Sequence, residues 1–182
     1  MTEGPAQGGQ AVELAIRPER TRLIVYAWPD NTLTAEIAAW SRLFPAENVF
    51  TVVRRDPCAA RNWAARELCR KAPAEFEHFI HVDRDMRPGP AALPFLSVEA
   101  DLVGCAYDNG NLACWAQPDA VHAGLFRVSR RLADELPLPW FQHGYSPDGC
   151  DWLCECIGFA AKVKAAGFSV ARAGWCGHRD RP

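Results

Sequence analysis

The sequence predicts an α/β domain, and three observations carry that reading. Short apolar runs suited to buried strands alternate with segments whose apolar residues recur about every 3.6 positions. Proline and glycine punctuate the junctions between them. The chain has 182 residues, 49% hydrophobic and 23% charged, which is the balance of a protein able to bury one core.

The elements follow in order. Residues 23–27 (Leu-Ile-Val-Tyr-Ala) read as a first buried strand. Thr32 or Thr34 is placed to cap a helix through Ile37, Trp40 and Leu43 that ends at Pro45. Residues 49–53 form a second strand. Asp56 followed by Pro57 supplies an N-cap and a proline at the first helical position, opening a helix through Trp63, Leu68 and Lys71 that Pro73 breaks. A third strand, residues 79–86, ends at Pro88-Gly89-Pro90. Residues 101–107 and 123–128 read as further strands, with a polar loop at 108–111 between them. Ser129 caps a short helix containing Leu132 and Leu136, and Pro137, Pro139 and Pro147 bracket a loop carrying Trp140, His143 and Tyr145. Trp152, Leu153, Cys156, Phe159, Ala160 and Val163 give the last helix its apolar face, and Gly167 its stop. A final strand over 168–173 leads into Trp175-Cys176-Gly177-His178. The expected organisation is a flexible leader at 1–20, one domain at 21–178 and a tail at 179–182.

The chemistry concentrates at the end of the third strand. On an extended backbone, side chains at i and i+2 share a face, so Asp83 and Asp85 are expected to converge there. Two hard oxygen donors suit Mg²⁺ or Mn²⁺, ions that bind phosphates through their remaining positions. The carboxyl ends of strands are also where open α/β sheets bind ligands.

Net charge is −2, which gives no basis for a nucleic-acid partner. No run of 18 apolar residues exists, so no membrane span is expected. The first ten residues lack the basic start and apolar core of an export signal, so the expected compartment is cytoplasmic and the eight cysteines are expected to be reduced. Cys150, Cys154, Cys156 and Cys176 are the only group suggesting zinc, and their spacing departs from that of structural knuckles.

With these pieces in place, the chain resembles the GT-A fold glycosyltransferases, in particular small family-2-like members. Ala60-Arg61-Asn62 is similar to the family's Ala-Arg-Asn signature. Residues 78–86 are similar to its hydrophobic strand ending in Asp-x-Asp. Glu155-Cys156-Ile157-Gly158-Phe159 with Ala166-Gly167-Phe168 looks like its Glu-Asp-x-x-Phe-Cys helix with a following Ala-Gly-aromatic stop. Gly177-His178 falls where the family places a late histidine. These motifs span residues 22–178 in order.

The resemblance implies a three-layer sandwich with a mostly parallel central sheet, and a metal-dependent transfer of a sugar from a nucleotide-diphosphate donor to an unknown acceptor, whether glycan, lipid-linked or protein. It implies Mn²⁺ or Mg²⁺ held by Asp85 directly, with Asp83 on the ribose or on the metal through water, and His178 as a third ligand. It implies donor contacts from Arg61 and Asn62. The family's catalytic Asp is replaced by Cys156, so the base is expected to be Glu155 or Asp151, four apart at the start of the last helix. Trp115, Trp140 and Tyr145 are candidates to stack on a sugar.

Three other readings compete, of which a nucleotidyltransferase shares the fold but carries a Gly-rich phosphate loop after the first strand, where Trp28-Pro29-Asp30-Asn31 stands here. A catalytically degenerate nucleotide-sugar-binding module would follow from the loss of that Asp. A haloacid-dehalogenase-type phosphatase also uses Asp-x-Asp, but its motif lies nearer the N-terminus and is followed by Thr or Val where Arg87 stands here.

Overall fold

The computed structural model describes residues 16–27, 33–53, 56–107, 121–145 and 152–178. Its centre is a six-stranded sheet built from β1 (Thr21–Ala27), β2 (Val49–Val53), β3 (His78–Asp83), β5 (Leu102–Ala106), β6 (Leu125–Ser129) and β9 (Val170–Trp175), in the spatial order β2-β1-β3-β6-β5-β9. β1 runs parallel to β2 and β3, and β5 parallel to β9. β6 alone is antiparallel to its neighbours β3 and β5. Five strands therefore point the same way, and the mostly parallel α/β sheet expected from the sequence is what the chain forms.

Helices cover both faces, because strands buried on two sides must be apolar throughout. On one face lie α2 (Pro57–Ala64), α3 (Arg130–Glu135) and α4 (Glu155–Ala165), which pack Ala64, Leu132, Phe159 and Val163 against Ile24, Phe79 and Phe126. On the other, α1 (Ala35–Ser41) and the 3-10 helix Pro90–Leu96 pack Ile37, Trp40 and Phe95 against Leu23, Val25 and Ile80.

The helix ends were legible locally. Thr34, Asp56 and Ser129 each accept a hydrogen bond from the backbone N–H three residues on. Gly167 takes φ +81° after α4, with its own N–H on Lys164 and that of Phe168 on Val163, the paired bonds of a Schellman stop.

Several expectations change. The helix expected to run to Lys71 is α-helical only to Ala64 and continues as a π-helical segment, Ala65–Arg70. The last helix begins at Glu155, not at Trp152: Trp152–Leu153 (β8) is extended and pairs with Gly144–Tyr145 (β7). β3 stops at Asp83, and Arg84 and Asp85 turn into a separate two-residue strand, Met86–Arg87 (β4), which pairs with Gly177–His178 (β10). Ile16 is buried in the core and Pro18–Arg20 forms a 3-10 helix ahead of β1. Among the described residues no helix is long and apolar enough to cross a membrane.

Candidate functional site

The parallel strands deliver their carboxyl ends to one edge of the sheet, and β6 begins at that edge because it runs the other way. Asp83 stands at the end of β3, its backbone N–H on the carbonyl of Gly124, which precedes β6. Gly124 is required by crowding: a Cβ there would come within 2.7 Å of the Tyr107 ring and 2.8 Å of Met86 Sδ. Its N–H donates to the Tyr107 hydroxyl at 3.2 Å.

Arg61 is the hub of the buried half of this edge. It projects from α2 and is 4% exposed. One guanidinium nitrogen, Nη2, donates to both Asp83 oxygens at 3.0 and 2.8 Å, and Nη1 donates to Glu155 Oε1 at 2.9 Å. The group also lies between the Tyr26 and Phe141 rings, 5.6 and 5.5 Å from their centroids. Burial opposes its charge, and the Asp83 and Glu155 carboxylates more than reverse that, holding it protonated above its ordinary range. Burial pushes the Asp83 carboxyl up to about 6; Arg61 pulls against this, while Asp85 and Glu155 add to it. Beneath, His81 is fully enclosed, its Nδ1 2.6 Å from the Tyr26 hydroxyl and its ring stacked on Phe126. Burial, then Arg61, depress its pKa to about 3, so it is neutral.

The exposed half is built differently. Asp85 comes off the turn after β3, not off the strand, so it does not share a pleat with Asp83 as the i, i+2 spacing suggested. The β4–β10 ladder sets His178 opposite Met86, and places His178 Nε2 3.4 Å from Asp85 Oδ2. The His178 ring also stacks on Tyr107 with centroids 5.6 Å apart. The bend that returns the chain here belongs to Gly174, at φ +76° beside a register shift in the β5–β9 pairing; a Cβ there would meet the Ala91 and Ala92 carbonyl oxygens at 3.0 Å. Gly177 is extended, and Arg87 Cβ packs 3.2 Å from where a Cβ on it would be.

Asp83, Asp85, Glu155, Arg61 and His178 are thus gathered at one edge, and the other expected residues are not. Asn62 Oδ1 accepts from the N–H of Trp140 and of Phe141, and its Nδ2 donates to the Phe141 carbonyl. Its amide is spent on holding that loop, which leaves the expected donor contact without a free group to make it. Trp140 is 2% exposed, with its indole N–H on the Leu136 carbonyl, so it is a core side chain and no sugar platform. Asp151 and Trp115 lie outside the described residues. Of the group weighed for zinc, Cys150 lies outside the described residues; Cys154 and Cys156 have their sulfurs 2.6 Å apart on the α2–α4 side, whereas Cys176 is packed in the core on the opposite face of the sheet and does not join them.

A cluster that the sequence did not flag lies beside Arg61. Asp56, Cys58 and His143 bring ligand-capable atoms within 4.8 Å of one another. Cys58 and His143 are 85 positions apart, so no spacing rule could have joined them.

No protein-family model matches the chain, and no curated protein does. Solved structures match in fold. A197 from STIV superposes with a TM-score of 0.51 at 11% identity, covering 86% of this chain and 83% of that one. A mutant of Drosophila β-1,4-galactosyltransferase 7, crystallised with manganese, UDP-Gal and xylobiose, superposes with a TM-score of 0.51 at 13% identity, covering 89% of this chain and 71% of that one. At these identities the likeness is one of fold, and the fold is GT-A-like.

Proposed function

We propose that the chain is a metal-dependent glycosyltransferase that moves a sugar from a nucleoside-diphosphate donor to an acceptor hydroxyl. The observation that carries this reading is the meeting of Asp85 and His178 at the carboxyl edge of a GT-A-like sheet. Neighbouring ligands of an octahedral ion with bonds of about 2.1 Å stand about 3 Å apart, so donor atoms at 3.4 Å need little movement to share one ion. The donors suit Mn²⁺ or Mg²⁺, and the imidazole nitrogen favours Mn²⁺ of the two. The ion supplies charge stabilisation to the leaving diphosphate.

The chain's own residues divide the remaining work. Arg61 fixes Asp83 in place, and Asp83 presents its outer edge to the ribose hydroxyls. Glu155 is the base candidate: Arg61 holds its Oε1, and its Oε2 accepts a long contact from the Cys154 thiol at 3.8 Å. Asp151 is the alternative. A second reading, a nucleotide-sugar-binding module, is favoured by one observation: Glu155 is 8% exposed and ion-paired, with a buried Cys156 beside it.

One experiment separates the two readings. UDP- and GDP-sugars are incubated with Mn²⁺ and a panel of sugar acceptors, and nucleoside diphosphate release is followed beside calorimetric binding. Turnover that Glu155→Gln slows by about 10² or more at unchanged donor affinity supports transfer with Glu155 as base. Metal-dependent binding without turnover supports the module. Equal nucleoside-diphosphate affinity in EDTA and in Mn²⁺ overturns both.

A further inference from the structure

Beside the Arg61 hub, the first turn of α2 and the loop before β7 meet. Asp56 is the N-cap of α2; its Oδ1 accepts from the Ala59 N–H at 2.6 Å and its Oδ2 lies 2.9 Å from His143 Nε2. On the other side of the same ring, His143 Nδ1 is 3.7 Å from Cys58 Sγ. Both Asp56 oxygens are therefore committed, one to the helix and one to the imidazole. A carboxylate on Nε2 fixes the tautomer with the proton on that nitrogen, which turns the Nδ1 lone pair toward the sulfur.

We infer that Cys58 Sγ and His143 Nδ1 form a second metal site, for a borderline divalent transition ion of the Zn²⁺ or Co²⁺ class, with Asp56 orienting the imidazole. In a tetrahedral site with a Zn–S bond of about 2.3 Å and a Zn–N bond of about 2.1 Å, sulfur and nitrogen stand about 3.6 Å apart. The observed separation is 3.7 Å. The carboxylate–imidazole–metal relay is the usual way a protein orients a histidine ligand. Soft thiolate with imidazole selects Zn²⁺ over Mg²⁺ or Mn²⁺, so this site differs in ion as well as in place from the one at Asp85 and His178. Glu155 and Asp56 bring negative charge to the Cys58 thiol, and the Arg61 guanidinium acts in the opposite sense. Water fills the remaining positions. On binding, the Cys58 S–H bond breaks, its proton leaves to solvent and the sulfur lone pair goes to the ion.

The same three residues have the order of a cysteine–histidine–aspartate nucleophile. Two observations weigh against it. Burial, with Glu155 and Asp56, pushes the Cys58 thiol up to about 11, and Cys58 is 5% exposed.

The test uses the full chain and Co²⁺ as probe. Wild type should bind one equivalent with a sulfur-to-cobalt charge-transfer band, and Zn²⁺ should displace it. Cys58→Ala should abolish the band. His143→Ala, at a half-exposed position that folding tolerates, should weaken Co²⁺ by at least about 100-fold, and Asp56→Asn by about 10- to 100-fold. Asp85→Ala and His178→Ala should leave the band unchanged, while Mn²⁺-dependent nucleotide binding should survive His143→Ala. The inference does not rest on the glycosyltransferase reading, and these two arms fail separately. A band that persists in His143→Ala overturns the site, as does absence of Co²⁺ binding. Alkylation of Cys58 by iodoacetamide that titrates below neutral pH and is indifferent to Zn²⁺ assigns the cluster to nucleophilic chemistry instead.

Discussion

Asp83 closes β3 with both carboxylate oxygens on the Arg61 guanidinium, whereas Asp85, two residues later, leaves through a turn and keeps 42% of its side chain exposed beside His178. The first, itself 30% exposed, belongs to a three-member charge network whose other members, Arg61 and Glu155, are buried and tie α4 to the sheet. Removing one member of such a network strands the others. The second faces solvent across a short ladder and has little to lose structurally. The difference teaches how one edge serves two ends. Buried, mutually satisfied charge holds the architecture, and exposed charge stays available to an exchangeable ligand.

The sharpest way to break this contrast is Arg61→Ala. It leaves Glu155 buried and Asp83 half-buried without their partner, and is expected to cost about 3 kcal/mol in urea unfolding. Asp85→Ala is expected to stay within about 0.5 kcal/mol of wild type by the same measurement. If the two variants unfold alike, the division of the edge into a structural and a ligand half is wrong.

The next effect is on binding. Asp85→Ala should weaken Mn²⁺-dependent nucleoside-diphosphate affinity by at least about 100-fold, and His178→Ala by about 10-fold, both read by calorimetry. An equal loss in Asn62→Ala, at preserved stability, would restore a donor role to a residue whose amide is committed to Trp140 and Phe141.

The smallest effect concerns pH and sharpens the buried half alone. His81 has a folded pKa of about 3, below its unfolded value, so its contribution to stability is present above about 6.5 and is lost as pH falls toward 3. Asp83 has a folded pKa of about 6, above its unfolded value, so its contribution is present below about 3.8 and is lost as pH rises through 6. Between pH 4 and 6 the two oppose each other. Asp83→Asn removes the second, and unfolding free energy should then rise more steeply with pH across this window, by up to about 1.4 kcal/mol per pH unit. An unchanged slope would show that the Asp83 carboxyl is not held protonated more readily in the fold.

Much of the fold was legible because it is encoded over short distances. Strands at residues 23–27 and 49–53, the caps at Thr34, Asp56 and Ser129, and the Gly167 stop each depend on neighbours within about four residues. The same local rules failed where a long-range pairing overrode them. Trp152 and Leu153 fit a helical period, yet pairing with Gly144–Tyr145 draws them into β8. Met86 extends an apolar strand in sequence, yet its partner is His178 and not a neighbour in the main sheet.

The sequence by itself singled out the residues that meet at this edge: Asp83, Asp85, Glu155, Arg61 and His178 are all named by type and motif. Only the tertiary structure decided what each charge meets. Arg61 reaches Glu155 across 94 positions and Cys58 reaches His143 across 85, distances over which spacing has no meaning. Whether a carboxylate is buried against a guanidinium or open beside an imidazole depends on the local dielectric and the partner at hand. Both are fixed when β3, β6 and the β4–β10 ladder come together, and neither is written in any one segment of the chain.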